Sequence, residues 1–303
     1  MIRLLLVLFL IVPYVLSGCA TAYNPATEQN EFIFITTPAE VSLGKMISGK
    51  VSRQFKFSED KEKIDRAVEV GNKVASVSDR QDLEYYFKVI EDESLNAFTT
   101  PGGYIYINSG LIEETSDDEL ACVIGHEIGH VAARHAAKKL QAQIGYDILM
   151  NIASRKGGGL GDLQRAASIS FDLISLGYSR EDELLSDRLG VKYAYKAGYD
   201  PHAMVTFLEK LKGKKDEKLG FVFLRSHPYA SQRINVLKEQ IPNIVDKVDK
   251  KKSIKHVRSQ KKTYPEPIQV STDKARPLKV MCPTCKRIFP GRTNFCPYDG
   301  TKL

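Results

Sequence analysis

The sequence predicts an α+β chain: a mainly helical domain carrying a small antiparallel sheet, followed by a small cysteine-bearing module. Three observations predict it. Ser116-Asp117-Asp118-Glu119 and Ser179 ahead of Arg180 each open a segment of helical spacing. Between Glu84 and Ile107, short alternating stretches flank the turn Pro101-Gly102-Gly103. Cys282, Cys285 and Cys296 then cluster at the far end of the chain, beyond a basic stretch.

Composition narrows the classes. With 303 residues, 43% hydrophobic and 27% charged, the chain suits one or two globular domains and can bury a core without disulfides. The formal charge of +7 is concentrated: Val245 to Lys262 holds eight Lys/Arg against Asp246 and Asp249, a net +6. That pattern reads as a solvated linker, and secondarily as a contact for anionic lipid. A nucleic-acid surface would spread its basic residues over a folded face, often with aromatics for stacking, so nucleic acid is excluded as a partner.

The N-terminus is an address. Met1-Ile2-Arg3 gives a positive start and Leu4 to Leu16 an apolar run, too short for a span of about 20 residues but suited to a signal peptide over residues 1–18. Leu16-Ser17-Gly18-Cys19 resembles a bacterial lipobox, which implies a lipid on Cys19 and a membrane partner through it. An ordinary signal peptide or an uncleaved anchor is the alternative. Ala20 in place of an aspartate implies, by the same resemblance, the periplasmic face of the outer membrane. Residues 19–39 then form a tether, with Thr21 to Asn30 polar and flexible.

The main domain runs from 40 to 243. Ser58-Glu59-Asp60 starts a helix that carries Ile64, Ala67, Val68, Val74 and Ala75. Strands follow over Glu84–Ile90, Leu95–Thr99 and Tyr104–Ile107. Their alternation explains the aromatics as packing, while an open strand edge can also pair with an extended peptide. The helix begun at Ser116 continues past Ala137 and carries His126-Glu127-Ile128-Gly129-His130. Histidines four apart share a helix face and can close on one metal ion, with Glu127 beside them to take a proton from water. Cys122, among apolar neighbours, reads as a buried thiol.

A catalytic zinc takes three protein ligands and keeps one position open. On the helix begun at Ser179, Glu183 and Asp187 are four apart and share a face. Glu183 can be the third ligand and Asp187 can fix a ligand histidine's tautomer. An acidic solvated face is the alternative, and it is the reading for Glu181 and Asp182.

Taken together, Asn96-Ala97-Phe98, Pro101-Gly102-Gly103, His126-Glu127-x-x-His130 and Ser179-Arg180-x-x-Glu183-x-x-x-Asp187 resemble the gluzincin metallopeptidase family of the CAAX prenyl endopeptidases and HtpX-like proteases. The absence of visible spans makes the chain similar to its soluble periplasmic lipoprotein branch (LoiP- and BepA-like). The resemblance covers roughly residues 40 to 240. It implies a zincin fold, one catalytic Zn2+ on His126, His130 and Glu183, and Glu127 as general base. It further implies Asn96, Ala97 and Phe98 as a substrate-pairing edge, and unfolded or misfolded cell-envelope proteins as substrates. Ser226-His227-Pro228-Tyr229-x-x-x-Arg233 resembles a late motif of the family. By that likeness His227 gates the metal's open position, and Arg233 supports the developing oxyanion or anchors the wall of the site. A helix-start motif packing on the core is the alternative for both. His135 matches a common family position, although an exposed helix histidine is the simpler reading. His202 and His256 have no partner that the sequence names.

After a basic linker over 244–280, residues 281–303 resemble a zinc ribbon, with knuckles at Cys282-Pro283-Thr284-Cys285 and Cys296-Pro297-Tyr298-Asp299. Asp299 stands where a fourth cysteine would be. The module therefore either holds a second zinc through Cys282, Cys285, Cys296 and Asp299, or carries a Cys282–Cys285 disulfide. Two other functions compete with an active peptidase: a binding or chaperone protein on the same scaffold, and a non-peptidase zinc hydrolase.

Overall fold

The protein is described by a computed structural model over residues 21–143, 177–213, 218–260 and 279–290, and its chain divides into two units, Met1–Lys252 and Ser253–Leu303. The signal peptide, Cys19, Cys296, Asp299 and the Gly157-Gly158-Gly159 stretch lie outside the described residues.

Residues expected as a flexible tether form a hairpin instead: β1 (Thr21–Asn24) pairs antiparallel with β2 (Gln29–Phe32). Its inner polar side chains explain the difference. Asn24 Nδ2 donates to Glu31 Oε2 at 3.0 Å and to the carbonyl of Ala132 at 3.3 Å, and Lys138 Nζ reaches Glu31 at 2.5 Å. A helix that the sequence reading did not anticipate follows, α1 (Thr37–Gln54). Its signal was present: Pro38 in the first turn, then Leu43, Ile47 and Val51 four residues apart, all buried. The anticipated helix α2 (Lys61–Ala75) starts where Asp60 accepts from the amides of Glu62 and Lys63.

The sheet comprises β3 (Tyr86–Ile90), β4 (Ala97–Thr100) and β5 (Tyr104–Asn108), in the order β3-β5-β4. β4 and β5 are antiparallel, but β3 runs parallel to β5, so the sheet is mixed rather than wholly antiparallel. The reason is the connection over residues 91–96. It passes round the end of β5, where the amides of Asn108 and Gly110 donate to the carbonyls of Asn96 and Asp92, and so delivers β4 to the opposite edge. The hairpin turn needs its glycines, since Gly102 and Gly103 have φ of 79° and 88°. Both faces of the sheet are covered. Ile105 and Ile107 enter the main helical core, while Tyr106 faces a second cluster with Leu43, Ile47 and Val51 of α1.

Short α3 (Ser109–Glu114) leads to α4 (Asp117–Ala132), which begins with the expected capping box between Ser116 and Glu119. The helix does not run unbroken past Ala137. It stops at Ala133-Arg134, where Arg134 has φ 59°, and helix resumes over residues 135–143. The break is held from the side: Arg80 Nη1 donates to the carbonyl of Val131 at 3.0 Å, and Arg134 reaches Glu40 at 3.0 Å and the carbonyl of Ile35. The bond to Val131 satisfies a carbonyl that the helix end leaves open.

Next come α5 (Arg180–Ala197), α6 (Ala203–Gly213), α7 (Lys218–Ser226) and α8 (Ala230–Gln260). A capping box of Ser179 and Asp182 opens α5, and Gly198 at φ 95° closes it. The predicted basic linker is thus helical as far as Gln260. An apolar stripe carries the helix on, with Ile241 and Val248 buried and Ile244 and Val245 packed on the core, despite Pro242 inside it. The hydroxyl of Tyr195 also donates to Asp249 at 2.9 Å. In the second unit, β6 (Lys279–Met281) and β7 (Ile288–Pro290) form an antiparallel pair. No helix among the described residues is long and apolar enough to cross a membrane.

Candidate metal centre

Helices α4 and α5 meet backbone to backbone. A Cβ on Gly125 would lie 2.7 Å from the carbonyl oxygen of Gly190, and one on Gly190 would lie 2.6 Å from the amide nitrogen of His126. One turn along, Gly129 faces Ser186 in the same way. Small residues four apart on both helices therefore let the axes approach. The crossing brings Glu183, on the first turn of α5, against the two histidines of α4.

His126, His130, Glu183 and His227 converge, with one ligand atom from each within 4.8 Å of all the others. His126 Nε2 lies 3.0 Å from His130 Nε2, 3.3 Å from His227 Nδ1 and 3.5 Å from Glu183 Oε2. Glu183 Oε1 lies 3.5 Å from His130 Nε2 and 3.1 Å from His227 Nδ1. Zinc bonds of about 2.0–2.1 Å at tetrahedral angles put neighbouring ligand atoms about 3.3 Å apart. The separations of 3.0–3.5 Å around His126 and Glu183 are close to that edge length, and imidazoles with a carboxylate suit zinc. The residues present therefore fit the metal.

The surroundings are polarised around this point. Burial opposes the charge on Glu183, yet His227 and Arg233 hold its carboxyl well below the ordinary value. Burial pushes the His130 imidazole down to about 3, leaving it neutral as a metal ligand must be. Glu127 is fully buried, and burial raises its carboxyl above the usual range. Neither of its oxygens, nor His227 Nε2 at 3.5 Å, has a hydrogen-bond partner among the described residues. Buried carboxylate oxygens without donors are rare, and here they border the ligand cluster, where a polarised water would be met.

Asp187 accepts from His126 Nδ1 at 2.8 Å, which aims the Nε2 lone pair into the cluster. Arg233 is wholly buried and used on every side. It forks onto Asp187 at 2.6 and 2.7 Å, donates to the carbonyl of His227 at 3.1 Å and pairs with Glu183 at 3.1 Å. That engagement fits the wall of the site rather than a donor waiting for an oxyanion. His227 sits between α7 and α8, its ring stacked on Phe223 at 4.5 Å.

Two readings of single residues change. His135 is buried, not exposed: its Nδ1 is 2.9 Å from His130 Nδ1 and its Nε2 is 3.1 Å from Asp182. The break at Arg134 turns it back toward the site. Asp182, expected on a solvated face, closes the Ser179 capping box and also meets His135. Tyr178 had been given no role. It stacks on His130 at 4.0 Å, with a buried hydroxyl that has no partner among the described residues. Nothing local in the sequence marks it, because the contact is made across the fold.

Ala97 and Phe98 lie on β4, the sheet's edge strand, which packs against α4. Asn96 precedes it and holds the amide of Asn108 through its carbonyl. Cys122 is a buried thiol as expected, 3.5 Å from the carbonyl of Asp200 and pushed up by burial. In the second unit the amide of Cys285 donates to Cys282 Sγ at 3.5 Å, across a turn where Lys286 has φ 60°.

The model of the peptidase family M48 matches residues 58–241. Among curated proteins, the mitochondrial metalloendopeptidase OMA1 of Arabidopsis thaliana is 33% identical over 164 residues, covering 54% of this chain and 33% of the relative. The beta-barrel assembly-enhancing protease of Yersinia pestis is 31% identical over 153 residues, covering 47% and 31%. The metalloprotease LoiP of Escherichia coli (strain K12) is 27% identical over 178 residues, covering 58% and 69%. The chain thus spans about a third of the length of the first two of these relatives.

Proposed function

The chain belongs to peptidase family M48, and from that premise we propose that it is a zinc-dependent endopeptidase cleaving unfolded or misfolded proteins of the bacterial cell envelope. One observation carries the catalytic part: four buried ligand atoms within 4.8 Å of one another, with the carboxylate of Glu127, which accepts no hydrogen bond among the described residues, beside them. His126, His130 and Glu183 would hold the metal. Zinc bound there supplies Lewis acidity, activating water and polarising the scissile carbonyl. Glu127 takes the proton from the attacking water and passes it to the leaving amine as the C–N bond breaks. Burial, by raising its carboxyl, suits Glu127 to both halves of that transfer. Asp187 and Arg233 keep His126 and Glu183 in place. The edge of β4 would pair with the substrate backbone, which requires an extended segment and so selects unfolded chains.

His227 Nδ1 stands at the fourth corner of the ligand set, the position a reacting water needs. His227 is therefore a gate that keeps the enzyme latent until it withdraws. The envelope assignment is supported by the lipobox ending at Cys19 and by relatives named LoiP and beta-barrel assembly-enhancing protease. In the C-terminal unit, Cys282 and Cys285 with Cys296 and Asp299 would form a structural ribbon or a substrate-recognition module.

Glu127→Gln should abolish cleavage of casein while leaving zinc content at the wild-type level. Wild-type turnover in that variant would remove Glu127 from the reaction. His227→Ala should raise the basal rate severalfold. A fall in rate with unchanged zinc would make His227 a transition-state support instead of a gate.

A further inference from the structure

The two histidines of α4 are held from behind in different ways. His126 donates directly to a carboxylate, Asp187. Among the described residues His130 meets no carboxylate on its Nδ1 side; that nitrogen faces Nδ1 of a third histidine, His135, at 2.9 Å. His135 Nε2 in turn lies 3.1 Å from Asp182 Oδ1. We propose that His135 and Asp182 are positioning residues that fix the tautomer and ring plane in which His130 presents Nε2 to zinc. The inference rests on the metallopeptidase reading of the site.

Proton bookkeeping supports it. A neutral histidine that gives its Nε2 lone pair to a metal carries its hydrogen on Nδ1. His130 Nδ1–H must then donate, and the atom it faces is His135 Nδ1, which accepts only as a bare lone pair. His135 therefore carries its own hydrogen on Nε2, the nitrogen beside Asp182 Oδ1. Each contact has one donor and one acceptor, and the chain ends on an ionisable carboxylate. The hydroxyl of Ser186, 3.4 Å from His135 Nδ1, is the other polar group near that nitrogen.

The backbone is shaped to allow it. In an unbroken helix residue 135 would stand about 140° round the axis from residue 130, out of reach. The left-handed Arg134 interrupts the helix between them and brings His135 back, only 3% exposed. Asp182 is divided between two tasks. Its Oδ2 accepts from the hydroxyl and amide of Ser179 at 2.8 and 3.3 Å, closing the first turn of α5, while Oδ1 is left for His135. The residue after it is the ligand Glu183. The start of α5 is thus linked to the ligand on α4 that Asp187 does not reach.

The test compares zinc affinity, by chelator competition, and the visible spectrum of the cobalt-substituted full chain for wild type, His135→Phe, His135→Asn and Asp182→Asn. His135→Phe keeps a planar ring but removes the acceptor; it should weaken zinc by about 10- to 100-fold and shift the cobalt bands. His135→Asn places an amide oxygen near the former Nδ1 and should recover most of the loss. Asp182→Asn should give a smaller loss of the same kind. A folded His135→Phe with wild-type zinc affinity and cobalt spectrum would overturn the proposal. If His135→Phe does not fold, Asp182→Asn decides: unchanged affinity and spectrum there overturn it equally. A wild-type chain that takes up neither metal would instead sink the metallopeptidase reading itself.

Discussion

Arg80 and Arg233 are both buried, and each grips a buried carboxylate through two nitrogens. Arg80 holds Glu40 at 2.8 and 3.0 Å, and Arg233 holds Asp187 at 2.6 and 2.7 Å. They differ in what lies beyond the carboxylate. Among the described residues Glu40 leads to a second arginine, Arg134, while Arg80 caps the carbonyl of Val131 at the end of α4. Asp187 leads to His126, and Arg233 also touches Glu183 and the backbone of His227. The same fork-on-carboxylate geometry therefore serves architecture in one place and ligand positioning in the other. A buried ion pair is not in itself a mark of function; its next neighbour decides.

That contrast can be broken by experiment. Replacing Arg233 with Met should have the largest effect. It strands Asp187 without a countercharge, which costs roughly 3–5 kcal/mol, and should weaken zinc by at least about tenfold. Urea unfolding of the zinc-free protein and chelator competition measure the two separately. Arg80→Met should be milder, because Arg134 stays beside Glu40. A loss of about 1–3 kcal/mol is expected, with zinc affinity unchanged. If Arg80→Met weakened zinc as much as Arg233→Met, the division of roles would fail. The smallest effect belongs to Asn24→Ala, which removes one hydrogen bond within the N-terminal hairpin, to Glu31, and one from it to the carbonyl of Ala132. About 1 kcal/mol of stability should go, with full metal content and activity per folded molecule.

These residues also show what could be read from the sequence. His126, Glu127 and His130 were legible because helix periodicity alone places them, and Glu183 and Asp187 because they stand four apart behind a capping serine. The span α1 was legible in principle, through Pro38 and the spacing of Leu43, Ile47 and Val51, but exposed Val41 and Met46 and buried Glu40, Gly44 and Ser48 blur its pattern. The direction of β3 was not legible, because alternation gives faces and says nothing of partner or sense. His135 was misread for a specific reason: a helix pattern that continues on both sides of Arg134 gives no sign of a left-handed residue between them. Tyr178 acts through a contact across the fold, for which local pattern carries no signal, while Arg233 was marked only through the resemblance of its motif.

The crossing of α4 and α5 has a further consequence. At Gly125 and Gly190 peptide atoms touch peptide atoms, so no rotamer stands between the two helices that bring His126 and Glu183 together. Their closest approach is set by van der Waals contact between backbone atoms, which do not repack as side chains do. A side chain at either position would push the helices apart and draw Glu183 away from the two histidines. The spacing of the ligand cluster is thus written into two residues that carry no side chain at all.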